Sequence, residues 1–290
     1  MKLGFHVSIS GSIDLSFDRA QELGCTAFQI FTRNPRAWIT KPLQLDEVKS
    51  FRRKHRESRI NQIFSHMPYI PNLASPKDEI FKKSLYTLIE ETKRCNELGI
   101  QYLVTHLGSH TGAGAVEGKT RLIQALGRAA DEDGPMILLE NSAGSGGQIG
   151  SRLDELAEIV KAIGGTRVGI CFDTCHAFTA GYDLATKEGL NATLREIIRT
   201  VSFGRLKLVH LNDSLGDLGS GIDNHEHIGL GKIGQEGFRD IIASQLVKRS
   251  MIMETPIDDR RSNTENMKKV YELAGINMPL ESSGEGLSHR

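Results

Sequence analysis

The feature that most constrains this chain is an apolar, β-rich run that recurs eight times. Each recurrence is followed by a stretch with helical spacing. The runs are Leu3–Val7, Ala27–Phe31, Gln62–Ser65, Tyr102–Thr105, Met136–Leu139, Val168–Phe172, Leu206–Val209 and Met251–Met253. The helical stretches lie near 12–23, 45–57, 77–98, 117–130, 151–163, 189–202, 235–246 and 262–275. Strict alternation of strand and helix calls for a parallel sheet with helices on its outside. Eight of each predicts a closed (β/α)8 TIM barrel, with an open doubly wound sheet as the alternative arrangement. The 290 residues suit one such barrel, which takes about 250. A single catalytic domain is expected over 1–279, followed by a flexible tail, 280–290, that lacks apolar periodicity.

Local signals support the helix placements. Ser75-Pro76-Lys77-Asp78-Glu79 looks like a helix cap with proline in the first turn, and Gly99 and Gly164-Gly165 stand where helices stop. The start, Met1-Lys2-Leu3, runs directly into a strand and has no signal-peptide pattern. No apolar run approaches a membrane span. With four scattered cysteines expected to be reduced, the chain reads as cytoplasmic. Lys plus Arg and Asp plus Glu both total 36, so net charge neither supports nor excludes a nucleic-acid partner.

The carboxyl ends of the later strands carry the chemistry. Strand three runs into His66, four into His106, five into Glu140, six into Asp173, seven into His210 and eight into Glu254. In a barrel these ends converge on one mouth, where active sites of this fold lie. A lone histidine there is usually a satisfied polar residue, but six metal-capable residues in succession are not independent accidents. His176 follows Asp173 by three residues at the start of a loop, and Asp223 and His225 sit in a glycine-rich loop after strand seven. Five imidazoles and four carboxylates are too many for one zinc ion, which takes four ligands. Two or three cations with a bridging carboxylate are expected, zinc by ligand type, with manganese or iron as substitutes. Cys171 and Cys175 are read as packing residues, and the glycine-rich loop lacks the Gly-Lys-Ser/Thr of a phosphate-binding loop. Clustered divalent cations generate a nucleophile at neutral pH and neutralise phosphodiester charge, so hydrolysis is the expected reaction. A metal-dependent sugar isomerase or epimerase on the same barrel is the rival reading; a non-catalytic DNA-binding scaffold would not need nine ligands.

Several motifs resemble those of the endonuclease IV family of apurinic/apyrimidinic (AP) endonucleases. They are Leu138-Leu-Glu140-Asn-Ser-Ala-Gly144, Gly169-Ile-Cys-Phe-Asp173-Thr-Cys-His176, and Val209-His210-Leu-Asn-Asp-Ser214 with Asp223-Asn-His225-Glu-His-Ile-Gly-Leu-Gly231. Phe5-His-Val-Ser8, Phe31-Thr-Arg-Asn34, His66-Met-Pro-Tyr69 and Glu254-Thr-Pro256 also fit, in collinear order. The resemblance implies three zinc ions. One would be held by His66, His106 and Glu140, a second by Glu140, Asp173, His210 and Glu254, and a third by His176, Asp223 and His225. Glu140 would then be the bridging carboxylate that orients the attacking group. It also implies incision of double-stranded DNA 5′ to abasic sites, trimming of blocked 3′ ends, and a monomer. Arg36, Tyr69 and Ile70 match positions that enter the minor groove. The chain departs from the family at Phe172, usually aliphatic, and at Leu215 and Asn224, where basic side chains are common.

Overall fold

The computed structural model describes residues 1–60, 62–131, 133–165 and 167–278; the expected tail 280–290 lies outside them. Eight parallel strands form one sheet: β1 (Lys2–Phe5), β2 (Ala27–Ile30), β3 (Gln62–His66), β4 (Tyr102–Thr105), β5 (Met136–Glu140), β6 (Val168–Asp173), β7 (Leu206–His210) and, after a small hairpin, β10 (Ser250–Met253). Their spatial order is β1-β10-β7-β6-β5-β4-β3-β2. A parallel bridge between His6 and Gln29 joins the two ends, so the sheet closes into the expected barrel. Closure there depends on Gly4: a Cβ at this position would lie 1.7 Å from the Ala27 carbonyl oxygen. No larger residue can occupy that seam without moving a strand.

The outer helices are α1 (Leu15–Glu22), α2 (Leu45–Glu57), α3 (Asp78–Leu98), α4 (Ala115–Asp131), α5 (Leu153–Ile163), α7 (Lys187–Thr200), α8 (Gly234–Ala243) and α9 (Asn263–Leu273). Gly99 ends α3 with φ +75°, a left-handed conformation that glycine adopts without strain. The other end differs from expectation. Lys77, not Ser75, stands at the cap, and the Ser75 hydroxyl accepts the Lys77 amide at 3.2 Å. Pro76 lies between them, so this hydroxyl bond closes a turn ahead of the helix. Two elements were not anticipated: α6 (Thr174–Thr179), and an antiparallel pair, β8 (Asp213–Ser214) with β9 (His225–Glu226), inside the glycine-rich loop. Both are too short for a periodic signal.

Side-chain alternation along the strands separates two apolar regions. Outward-facing residues such as Phe28, Ile63, Leu103, Leu139 and Val209 pack against the helices. Inward-facing Ala27, Phe64, Val104, Leu138, Cys171, Leu208 and Ile252, one from each of seven strands, form a separate buried layer inside the barrel. The eighth strand contributes Gly4, paired in register with Ile252. Because strand side chains repeat every two residues, the positions two further along face inward as well. They are His6, Gln29, His66, His106, Glu140, Asp173, His210 and Glu254. The apolar layer is therefore the floor on which a polar ring stands. No helix among the described residues is long and apolar enough to cross a membrane.

Candidate metal centre

Above the apolar floor, metal-capable side chains gather into three principal groups whose ligand atoms lie within 4.8 Å of one another. These are His66, His106 and Glu140; Glu140, Asp173, His210 and Glu254; and His176, Asp223 and His225. Glu140 belongs to two of them. Its Oε2 lies 3.1 Å from His66 Nε2 and 3.5 Å from His106 Nδ1, while Oε1 lies 2.9 Å from His210 Nδ1. The third group is linked by Asp223 Oδ1, 3.1 Å from His176 Nε2 and 3.6 Å from His225 Nε2. A further grouping places Cys175 with Asp173 and His225. Burial raises the Cys175 thiol well above its ordinary pKa, and its sulfur donates to the Asn224 carbonyl at 3.7 Å, which favours packing over ligation.

Most of the imidazoles are oriented from behind. His66 Nδ1 donates to the Met67 carbonyl at 2.6 Å, His176 Nδ1 to the Asn141 carbonyl at 2.9 Å, and His225 Nδ1 to the Glu254 carbonyl at 3.1 Å. Each bond leaves Nε2 facing the carboxylates. His210 is turned the other way: Nε2 donates to Gln29 Oε1 at 2.9 Å, leaving Nδ1 for Glu140. Imidazoles that bind metals are held by such bonds on the far nitrogen. His225 Nε2 is buried and has no hydrogen-bond partner, which suits a nitrogen whose partner is a cation. Asp173 is fixed by two amides: Asn141 Oδ1 accepts its N–H at 2.7 Å, and Asn212 Nδ2 donates to its Oδ2 at 2.7 Å.

The electrostatics favour a divalent cation. Burial opposes ionisation of Glu140, yet His106 and His210 beside it hold its carboxyl well below the usual range. Glu254 is likewise held low against burial by His210 and His6. Burial also opposes a charge on His176, but Asp173, Asp223 and Glu140 raise it to about 10. Protons on imidazoles thus balance the buried carboxylates when no cation does, and cations of higher charge would displace them.

The structure modifies the reading of His176. It lies on α6 rather than in a loop, because the Asp173 side chain accepts the His176 amide at 2.8 Å and caps the helix. Asp223 and His225 are brought in by the β8–β9 pair. That excursion hangs on Asp213, whose buried carboxylate accepts the amides of Ser214, Gly229, Gly231 and Ile233 at 2.8 to 3.0 Å. Leu215 is 44% exposed on the same excursion, and its N–H donates to Asn224.

A hollow of about 420 Å³ opens over the site, lined among others by His6, Phe31, Tyr69, His106 and Ile257. A hollow of similar size, about 450 Å³, lies outside the barrel beside Asp154, Lys161 and Arg205; no metal-capable group found among the described residues reaches it. At the rim, Tyr69 is 59% exposed, its ring edge-on to Phe31 at 5.1 Å, and its N–H donates to Pro35. Arg36 is exposed and Ile70 partly buried on these adjoining loops. The loop carrying Arg36 is pinned underneath: Glu91 accepts from Thr32 and Arg33 at 2.6 Å each, and Arg94 donates to Thr32. Sequence reasoning passed over His6, Gln29, Asn141 and Asn212. The two-residue spacing from Gly4 and Ala27 would have found the first two.

Comparison with known proteins finds relatives that match nearly the whole chain. Residues 17–273 match the family model described as the xylose isomerase-like TIM barrel. The chain is 53% identical to a probable endonuclease 4 of Methanoculleus marisnigri over 94% of its own length and 99% of the relative's. It is 48% identical to one from Nitrosopumilus maritimus, over 94% and 100%. Among solved structures, endonuclease IV from Thermus thermophilus superposes with a TM-score of 0.82 at 35% identity, covering 95% of this chain and 98% of that one. A D-tagatose 3-epimerase-like protein, at 22% identity and a TM-score of 0.69, shares the fold alone. With these relatives matched nearly end to end, the chain belongs to the endonuclease IV family of xylose isomerase-like TIM barrels.

Proposed function

We propose that this protein is a zinc-dependent AP endonuclease that incises duplex DNA 5′ to abasic sites, leaving a 3′-hydroxyl and a 5′-deoxyribose phosphate, and that also trims blocked 3′ ends. One observation carries the reading: the third group, His176, Asp223 and His225, adjoins two groups that share Glu140. A sugar isomerase needs one or two cations and would leave that third group without a task. Three zinc ions, with manganese as a substitute, suit the mixed imidazole and carboxylate donors. When bound, they supply Lewis acidity and a water-derived nucleophile at neutral pH.

The chain's own residues do the rest. Glu140 offers one oxygen to each of two groups and holds them at a fixed separation. Asn212 keeps the Asp173 carboxylate from rotating, and Asn141 holds the Asp173 backbone. In the reaction, water adds to phosphorus, the P–O3′ bond breaks, and the departing 3′ oxygen takes up a proton. Arg36, Tyr69 and Ile70 stand at the rim, where side chains of this kind can enter a minor groove and stabilise a kinked duplex. We place the protein in the cytoplasm, as a monomer.

The test pairs metal analysis of the purified protein with incision of an end-labelled duplex bearing one abasic analogue. Close to three zinc ions per chain and a single cut on the 5′ side are expected. One metal or fewer, with no incision after zinc is added, would overturn the reading in favour of a sugar-metabolising barrel.

A further inference from the structure

Six of the eight inward positions at the mouth are metal-capable residues that make up two of the three groups; the other two are His6 and Gln29, at the seam where β1 meets β2. Gln29 is fully buried, and all of its amide contacts go to the site. Its Oε1 accepts from His210 Nε2 at 2.9 Å. Its Nε2 donates to Glu254 Oε1 at 2.7 Å and lies 3.0 Å from His6 Nδ1. The amide cannot be flipped, because its oxygen would then lie 2.7 Å from a carboxylate oxygen of Glu254, two acceptors with no proton between them.

That fixed orientation has a direct consequence. His210 must carry a proton on Nε2, so Nδ1 is the nitrogen left to face a cation; it lies 2.9 Å from Glu140 and 3.5 Å from Glu254. His6 Nδ1 lies 3.0 Å from the Gln29 amide nitrogen and 3.3 Å from Glu254 Oε1, on a ring that lines the hollow. We propose that Gln29 is a positioning residue of the metal centre: through one amide it sets the tautomer of His210 and the rotamer of Glu254. The other imidazoles with a fixed far nitrogen lean on backbone carbonyls; His210 leans on a side chain and can therefore be altered by substitution. The inference rests on the metal-centre reading above.

The probe is zinc alone, added to the full-length metal-free protein. Gln29→Met keeps the volume but can neither accept from His210 nor donate to Glu254. Loss of such an outer hydrogen bond to a ligand costs about 10- to 100-fold in metal affinity. Gln29→Met is expected to lose zinc to a competing chelator about that much more readily, with kcat falling and KM for abasic duplex unchanged. Nitrogen-15 correlation spectra of the zinc-loaded wild-type protein test the same point without a variant. They should show His210 protonated at Nε2 and coordinating through Nδ1. Coordination by His210 Nε2 would overturn the role of Gln29, as would a folded Gln29→Met protein that keeps zinc and kcat unchanged. A wild-type protein that takes up no zinc would instead overturn the metal centre itself, and this role with it.

Discussion

The site has a strand-borne half and a loop-borne half, and they are built differently. His66, Glu140, Asp173 and His210 are the last residues of barrel strands and are buried. Their positions follow from the apolar layer two residues below each of them. Asp223 and His225 instead arrive on an excursion after β7; the Asp223 side chain is 40% exposed and that of His225 18%. What holds this second half is a short hairpin and the four amides gathered by Asp213. The barrel thus supplies two groups as a by-product of folding, while the third depends on a local polar hub that can be weakened separately.

The most severe break in this comparison is Glu140→Gln. It removes a charge shared by two groups, so several kcal/mol of transition-state stabilisation go with it, about three orders of magnitude in incision rate or more. Metal analysis should show both strand-borne groups depleted. Near-normal turnover in a folded Glu140→Gln protein would deny the bridging role. Asp213→Ala comes next, since it leaves buried amides without an acceptor, at about 1–3 kcal/mol for each one that water cannot reach. A lowered Tm and faster hydrogen exchange confined to 213–233 are expected, with zinc lost from the third group first. Uniform loss from all three would erase the distinction between the halves.

His225→Ala should remove one zinc and leave the strand-borne pair; loss of all metal would show that the halves are not separable. Tyr69→Ala is the mildest of the substitutions. It should weaken binding of abasic duplex by about 1–3 kcal/mol, the usual worth of an aromatic contact to a base, with metal content unchanged. Finally, a chelator at neutral pH should strip the loop-borne cation before the others. Stripping should quicken as pH falls through the imidazole range, because ligating nitrogens must be unprotonated. If the strand-borne cations leave first, exposure is not what sets the order.

The same division explains what could be read from the sequence. Strand ends were legible because period-two alternation and the β/α repeat both survive in one dimension, and from them came His66, His106, Glu140, Asp173, His210 and Glu254. The separation of Asp223 and His225 from the strands was legible as well, but not the hairpin that returns them, since two-residue strands leave no periodic trace. His176 was located but not its helix, because Asp173 is at once the strand's last residue and the helix cap. His6 and Gln29 escaped because a lone His and Gln carry no signal by type. Only their spacing from Gly4 and Ala27 reveals them, and that spacing acquires meaning once the inner layer is known. Ser75 was misplaced because its bond to the Lys77 amide imitates a cap two residues early.

The two-residue step from floor to ring carries one more consequence. If a strand entered the barrel slipped by a single residue, its inward and outward faces would exchange. A slipped β5 would turn Leu138 out of the barrel and Glu140 with it, into the layer beneath the helices. The apolar layer and the ring therefore share one reading frame, and a misregistered barrel loses its cation sites together with its interior. Metal content would then act as a checksum on assembly, reporting how many molecules in a preparation have the six ligand-bearing strands in step.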